Sequence, residues 1–530
     1  LESAGRIVPC ENGTSTNAFP IGSRSSVATL LVLIAMLMAG PAITQTADFD
    51  SRQTGFLTAA TGGMQANAWA GTSLATAKRL VTALPNAPRS RALRDLQFKV
   101  LVSQLTPPAP DGSPPPSLFM RKVEKLASMG EAESLNEMVR NAGAYADPTV
   151  AATVANALML AGERHGACAI VRQWELSEPF GGRAQAACRL LDGDITAARA
   201  ANLASAQQID GPALMAIDRM HAQVPANVLR NTQPAIVRAL VGLKPLPIAT
   251  RIEIAERGEA LAIIEATRLG DLYLEALRDG ASLPAAVARR ARMVAAARSA
   301  SNPGEMVTSI AAAYGEARDS PLFPTIARAS AAALINLPAQ PQFANVAQEA
   351  MRGFLLLGAK LQTQAWIRLA LSAVSSNARA IIALDRLVPL AAVAGLDDAK
   401  RLTTGEINRW YEVTRDDEAA RASLRGYLLL ELLRSTGFDL PPKSTDLPDK
   451  PPGNARLVMP AMANLQSLVN AAAAGRRAEA ALLAPIAAAD TPLNELHPAA
   501  IATIVQALRQ VGEDHSARLC AVETAIAYGL

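Results

Sequence analysis

Along most of the chain apolar residues return three and four positions apart, the spacing that gathers them on one face of a helix, and no alternating strand pattern competes. The stretch PIATRIEIAERGEALAIIEATRLGDLYLEAL, residues 247–277, shows this plainly. Residues 213–435 read as successive amphipathic helices, broken where proline or glycine interrupts them at SNPGE, DSPLFP and NLPAQPQF. A second regularity lies above the helical one. SMGEAESL sets Gly130 and Glu131 thirty-two residues before Gly162 and Glu163, and Gly193 with Asp194 follows thirty-one later. The same turn returns as AAGRRAEAALL at Gly475 and QVGEDHSARLC at Gly512, with a looser copy at Gly358 where Trp366 supplies the bulk. A period near 32 predicts stacked supersecondary units. In each, a helix ends at Gly, an acidic residue opens the next helix where its dipole favours negative charge, and a small or apolar residue five after the Gly faces the neighbour.

Composition supports the helical reading and bounds the architecture. A chain of 530 residues is too long for one compact core, so several domains or one extended array are expected. Half the residues are hydrophobic but only 4% are aromatic. The excess is Ala and Leu, with Arg dominating the cations, and these are the strongest helix formers. The expected fold is therefore all-α, an α-solenoid of stacked antiparallel helix pairs with Pro-rich linkers. The expected organisation is a leader over 1–47, a helical segment over 48–105, a Pro-rich linker at 106–117 containing TPPAPDGSPPPS, a helical repeat domain over 118–435, a second linker at 436–456, and a C-terminal repeat segment over 457–530.

Near the N-terminus Arg24 precedes the apolar run VATLLVLIAMLMAG, after which small residues and then polar ones follow. This is the layout of a secretory signal, with cleavage expected after Ala42. The run is short for a membrane span, which needs roughly 20 residues, although residues 27–43 together leave an inner-membrane anchor as the alternative. Cys10 lies before the apolar run, so no lipoprotein box is present. An exported, periplasmic chain meets an oxidising compartment, and the remaining cysteines are Cys168, Cys188 and Cys520. Helices favoured around Cys168 and Cys188 are separated by SEPFGG, whose Pro179, Gly181 and Gly182 make a hairpin turn that contains the midpoint between the two cysteines, residue 178. Residues equidistant from such a turn sit opposite one another, so a disulfide is expected over a reactive pair or two free thiols. Nothing at Cys-x-x-Cys spacing argues for redox chemistry. Cys520 is expected to be a buried small apolar residue.

At Gly162, Glu163, Ala167 and Pro179, and again at Gly193, Asp194 and Ala198, the chain resembles tetratricopeptide repeats, whose paired helices join through a Gly-acidic turn followed by Ala. The family's first-helix positions are not matched around AATVANAL. The whole is also similar to a group of uncharacterised exported, Ala-rich proteobacterial proteins, some labelled after antifreeze peptides. That label follows Ala content, because an ice-binding helix needs a regular Thr ladder that is missing here.

Candidate chemistry is sparse. His165, His221, His497 and His515 are scattered without a second ligand at metal-binding spacing, and there is no nucleophile elbow, phosphate loop or dinucleotide fingerprint. No cofactor, metal or catalytic residue is therefore expected. Glu253, Glu256, Glu259 and Glu265 lie three, three and six apart, but with Arg251 and Arg257 among them they read as a solvated, ion-paired face. A net charge of +4 spread along the chain gives no case for nucleic acid. Arg164, Arg172, Arg183 and Arg199 cluster around the cysteine hairpin and offer a basic patch for an acidic partner, the alternative being that they solvate outer helix faces. The leading expectation is a non-catalytic, exported scaffold or protein-binding protein that holds a protein or peptide partner in the cell envelope. A peptidoglycan- or glycan-acting enzyme, or its auxiliary solenoid, is the alternative suggested by lytic transglycosylases, though the Glu-Ser pair and Gly-Leu-Met-Gln stretch of that family are missing. A membrane-anchored structural component is the third.

Overall fold

The computed structural model describes residues 49–174, 234–242, 246–317, 322–373, 387–396, 402–438, 445–453 and 455–530, with positions 176, 185, 188 and 440. The expected leader with its apolar run, the repeat-turn Gly193, and Arg183 and Arg199 lie outside the described residues. The helices in chain order are α1 (Leu74–Ala83), α2 (Arg91–Val102), α3 (Leu118–Met129), α4 (Ala132–Ala142), α5 (Pro148–Ala161), α6 (Arg164–Gln173), α7 (Pro234–Gly242), α8 (Ile248–Ala260), α9 (Ala266–Arg278) and α10 (Ala285–Ser299). They continue as α11 (Pro303–Ala317), α12 (Phe323–Ala329), α13 (Ala331–Ile335), α14 (Ala347–Leu356), α15 (Lys360–Ala373), α16 (Thr404–Ser435), α17 (Met462–Ala473), α18 (Arg477–Ala488), α19 (Pro498–Gln510) and α20 (Asp514–Ala527). Among the described residues the fold is all-α, and the β pairing there consists of two isolated bridges, Leu57 with Ser103 and Val458 with Leu496. None of the described helices is long and apolar enough to cross a membrane.

Local chemistry explains where the helices begin and end. The hydroxyls of Ser73, Ser90 and Ser117 accept backbone N–H groups in the first turns of α1, α2 and α3. Asp147 caps α5 ahead of Pro148, and Thr403 with Glu406 forms a reciprocal capping box on α16. At the recurring turns the glycines are left-handed, with φ of 77° at Gly130, 88° at Gly162, 64° at Gly358, 68° at Gly475 and 81° at Gly512. That conformation brings the next helix back alongside the last. Five positions on, Leu135, Ala167, Ala480 and Ala517 are fully buried against neighbours. The acids after the glycines open the next helices as expected, and two of them do more than face the helix dipole. Glu131, Glu163 and Glu513 sit at N-cap positions, but none caps its helix through the side chain. Glu131 instead takes Arg94 of α2 and Arg238 of α7, and Glu513 takes Arg477 at 2.8 Å and Lys99 at 3.1 Å. Two of the turn acids therefore tie separate helices together.

Neighbouring helices pack as pairs through the array, among them α5 with α6, α8 with α9, α10 with α11, α14 with α15, α17 with α18 and α19 with α20. Cys168 of α6 is joined to Cys188, with S–S 2.06 Å and the Cα atoms 5.6 Å apart. Cys520 is free and fully buried in α20. The described residues, all of them after position 48, fall in one compact unit. Within it the array returns on itself: α1 and α2 pack on α18, and α2 also packs on α20. The Ala478 N–H donates to the Ala68 carbonyl at 2.9 Å, and the Thr72 hydroxyl donates to Glu479 at 3.0 Å. The proline-rich stretch after α2 is tied down as well, because Asp111 accepts the Ala75 N–H at 2.8 Å in the first turn of α1. That hydrogen bond, together with those from Ser113, holds its carboxyl below the ordinary aspartate range.

Candidate functional site

The seam where the first and last helices meet encloses a cavity of about 710 Å³. This falls in the size range that takes a drug-sized ligand, about 300–1,000 Å³. Its walls come from seven separate stretches: the approach to α2, the C-terminal end of α8, α12, α14, α16, the loop before α19, and the end of α20. Helical geometry aims the lining side chains. Gln348, Arg352 and Leu356 lie four apart on α14, and Arg421 and Arg425 lie four apart on α16, so each set shares a face. The cavity is lined by Arg89, Arg91, Arg328, Arg352, Arg421 and Arg425, against two carboxylate side chains, Glu259 and Glu523. Aromatic and aliphatic groups, including Phe323 and Trp410, complete the walls.

Both carboxylates are already committed. Glu259 is fully buried and accepts from Arg328 Nε at 2.6 Å, from the second Arg328 nitrogen at 3.1 Å, from Arg91 at 3.1 Å and from the Thr325 hydroxyl. Burial alone would raise its pKa, but the guanidinium groups of Arg328 and Arg91 together with the Thr325 hydroxyl hold it below the ordinary glutamate range. Glu523 of α20 accepts the Ser90 hydroxyl at 2.6 Å and the Ala92 N–H at 3.2 Å, so it covers the buried N-terminus of α2. Here burial prevails, and its carboxyl is pushed above the ordinary range despite Ser90 and Arg328. Two carboxyl groups in one cavity, displaced in opposite directions, resemble an acid–base pair in outline. Their hydrogen bonds run into the protein framework, however, which makes them structural supports for the arginines and for α2. Arg89 donates to the Asp490 carbonyl at 3.1 Å and Arg425 to the Tyr528 carbonyl at 3.0 Å, so these two are held in the walls.

One wall is strained. Ala262 follows α8 with φ of 56°, a left-handed conformation that glycine adopts freely and alanine does not. Hydrogen bonds from its N–H to Glu259 and from Ile263 N–H to Gly258 enforce it. The result is a sharp reversal of the backbone, Ala260 to Ala262, at the cavity edge.

The residues singled out from sequence fare unevenly. Arg172 is exposed on α6, Arg164 begins the same helix, and Arg183 and Arg199 lie outside the described residues. The glutamate row is not a solvated face. Glu256 and Glu259 are buried and pair with Arg290 and Arg328 of other helices, while Arg251 of the same helix goes to Glu275 at 2.8 Å. The reason is that α8 is enclosed by α7, α9 and α12, leaving only Glu253, Arg257 and Ala260 as its exposed positions. Among the described residues no three His, Cys, Asp or Glu side chains converge on a metal-sized site. The cavity arginines were missed because they span residues 89–425 and converge only when the array closes. The four-residue spacings at Gln348 and Arg352 and at Arg421 and Arg425 were the available hint. Comparisons with family models, curated proteins and solved structures return no match.

Proposed function

We propose that this helical-repeat protein is a non-catalytic binding protein of an exported compartment, a scaffold in the cell envelope that receives an acidic protein partner in the arginine-lined cleft. The observation that carries the reading is the charge of one cavity: six guanidinium-bearing side chains against two glutamates that are engaged within the framework. A cleft with low-dielectric walls and an excess of one sign concentrates ligands of the other sign. Arginine suits the task, since its planar fork meets a carboxylate with two parallel hydrogen bonds. The disulfide between Cys168 and Cys188 supports an oxidising location. The recurring glycine turns support a tetratricopeptide-like relationship, and stacked repeats commonly present binding surfaces. The test is binding of poly-glutamate to the intact oxidised protein, compared with poly-lysine and with a variant in which Arg352, Arg421 and Arg425 are all Gln. Poly-glutamate is expected to bind the wild-type protein and to lose that binding in the variant. Equal binding to both proteins, or none to either, refutes the reading.

A further inference from the structure

The geometry of the cleft narrows what an acidic partner presents, and this step rests on the binding function proposed above. One helix, α16, supplies Trp410, Thr414, Arg421 and Arg425 to the lining. At about 100° per residue these four positions fall within roughly 60° of one another, so they form a single stripe facing the cavity. Fifteen residues separate Trp410 from Arg425, and at about 1.5 Å per residue the stripe is roughly 22 Å long. Its two ends differ in chemistry. Trp410 is only 3% exposed and presents an aromatic surface within the wall, whereas Arg421, at the cationic end, is exposed. A compact anion would occupy one end and leave the other untouched.

We infer that the cleft binds an extended acidic peptide segment of about seven residues, with an apolar side chain against Trp410 and acidic side chains about five to seven positions away at Arg421 and Arg425. The length follows from the rise of an extended chain, about 3.3 Å per residue, over the stripe. The middle of the cavity favours a peptide over an acyl chain with an anionic head. Gln348 and Asn494 bring amide side chains to the lining. A peptide backbone offers partners to these groups, while a hydrocarbon chain would desolvate them without compensation, at a cost of about 1–3 kcal/mol each. The Trp410 end likewise suits a side chain that is apolar and rigid, since aromatic pairs gain about 0.5–1.5 kcal/mol beyond burial.

The experiment is fluorescence anisotropy on the intact oxidised protein with a labelled heptapeptide carrying Phe at position one and Asp at positions six and seven, Gly and Ser between. Three control peptides replace both Asp by Asn, replace Phe by Gly, or place the Asp residues directly beside Phe. The spaced peptide is expected to bind at least about tenfold more tightly than each control, the equivalent of one charge-assisted contact. R421Q/R425Q is expected to remove its advantage over the Asn peptide, and W410A its advantage over the Gly peptide, with circular dichroism checking that each variant folds. If the spaced peptide binds no better than the peptide with adjacent Phe and Asp, or if R421Q/R425Q leaves its affinity unchanged, the inference is overturned. Arginine-dependent binding of poly-glutamate would in that event leave the broader acidic-partner reading intact. Preferential binding of phosphatidylglycerol vesicles or of single-stranded DNA over the spaced peptide also overturns the peptide assignment.

Discussion

Replacing Glu259 with Gln tests the central support of the cleft. The substitution keeps the shape of the side chain but removes its charge and places an amide where Arg328 and Arg91 now find carboxylate oxygens. Glu259 is fully buried, and the Arg328 side chain is only 11% exposed, so solvent cannot replace what is lost. Removing one partner of a buried ion pair costs about 3–5 kcal/mol, because the remaining charge is left uncompensated. That is a large share of the roughly 5–15 kcal/mol by which folded proteins are stable. Urea unfolding followed by far-ultraviolet circular dichroism measures the loss, and Arg328→Met with the double variant completes a cycle. The double variant is expected to recover much of the loss, since the Arg328 charge is then gone as well and Arg91 keeps Glu265 as its partner. The pH dependence has a definite sign. Glu259 has a folded pKa held below its ordinary value of 4.5, so its contribution is present above that value and is lost as pH falls through the folded pKa. The gap between wild type and Glu259→Gln is therefore expected to shrink in acid. A loss below about 1 kcal/mol at neutral pH, with the urea slope unchanged, would refute the claim that this carboxylate holds the arginines in place.

Three further outcomes follow from the packing. Lys122 is buried in α3, and burial pushes its ammonium down to about 8 from 10.5, so the cost of burying its charge is absent above 10.5 and grows to its full size as pH falls through about 8. Lys122→Met should raise stability at neutral pH by about 3 kcal/mol and abolish the slope across that alkaline window; a variant no more stable than wild type in urea contradicts this. Replacing Cys168 and Cys188 with Ser removes a link across a sequence separation of 20 and should lower stability by about 3 kcal/mol, with no additional effect of reducing agent on the variant. Ala262→Gly relieves the left-handed strain at the cleft and should raise the unfolding midpoint, by about 1 kcal/mol equivalent, an unchanged or lowered midpoint counting against strain there.

The helical class of this protein, the glycine turns and the cysteine pair are all legible in its linear pattern, because each depends on residues within about one repeat of one another. Three-and-four spacing sets which face of a helix is apolar, and Gly130, Gly162, Gly475 and Gly512 each adopt the left-handed turn that only glycine enters freely. The partners of the charged residues follow a different logic. Glu131 and Glu513 read in sequence as acids that open a helix facing its dipole, yet they also reach across to Arg94, Arg238, Arg477 and Lys99. Glu259, four residues after Ala255 on the same helix, finds Arg328 sixty-nine residues away. Burial is what separates these cases. A charge in water needs no particular neighbour, but one enclosed by packed helices must meet an opposite charge wherever the chain brings one, and that depends on how α1 and α2 close against α18 and α20. The cleft is a product of the same closure, with walls from Arg89 to Leu530 that are adjacent in space and unrelated along the chain.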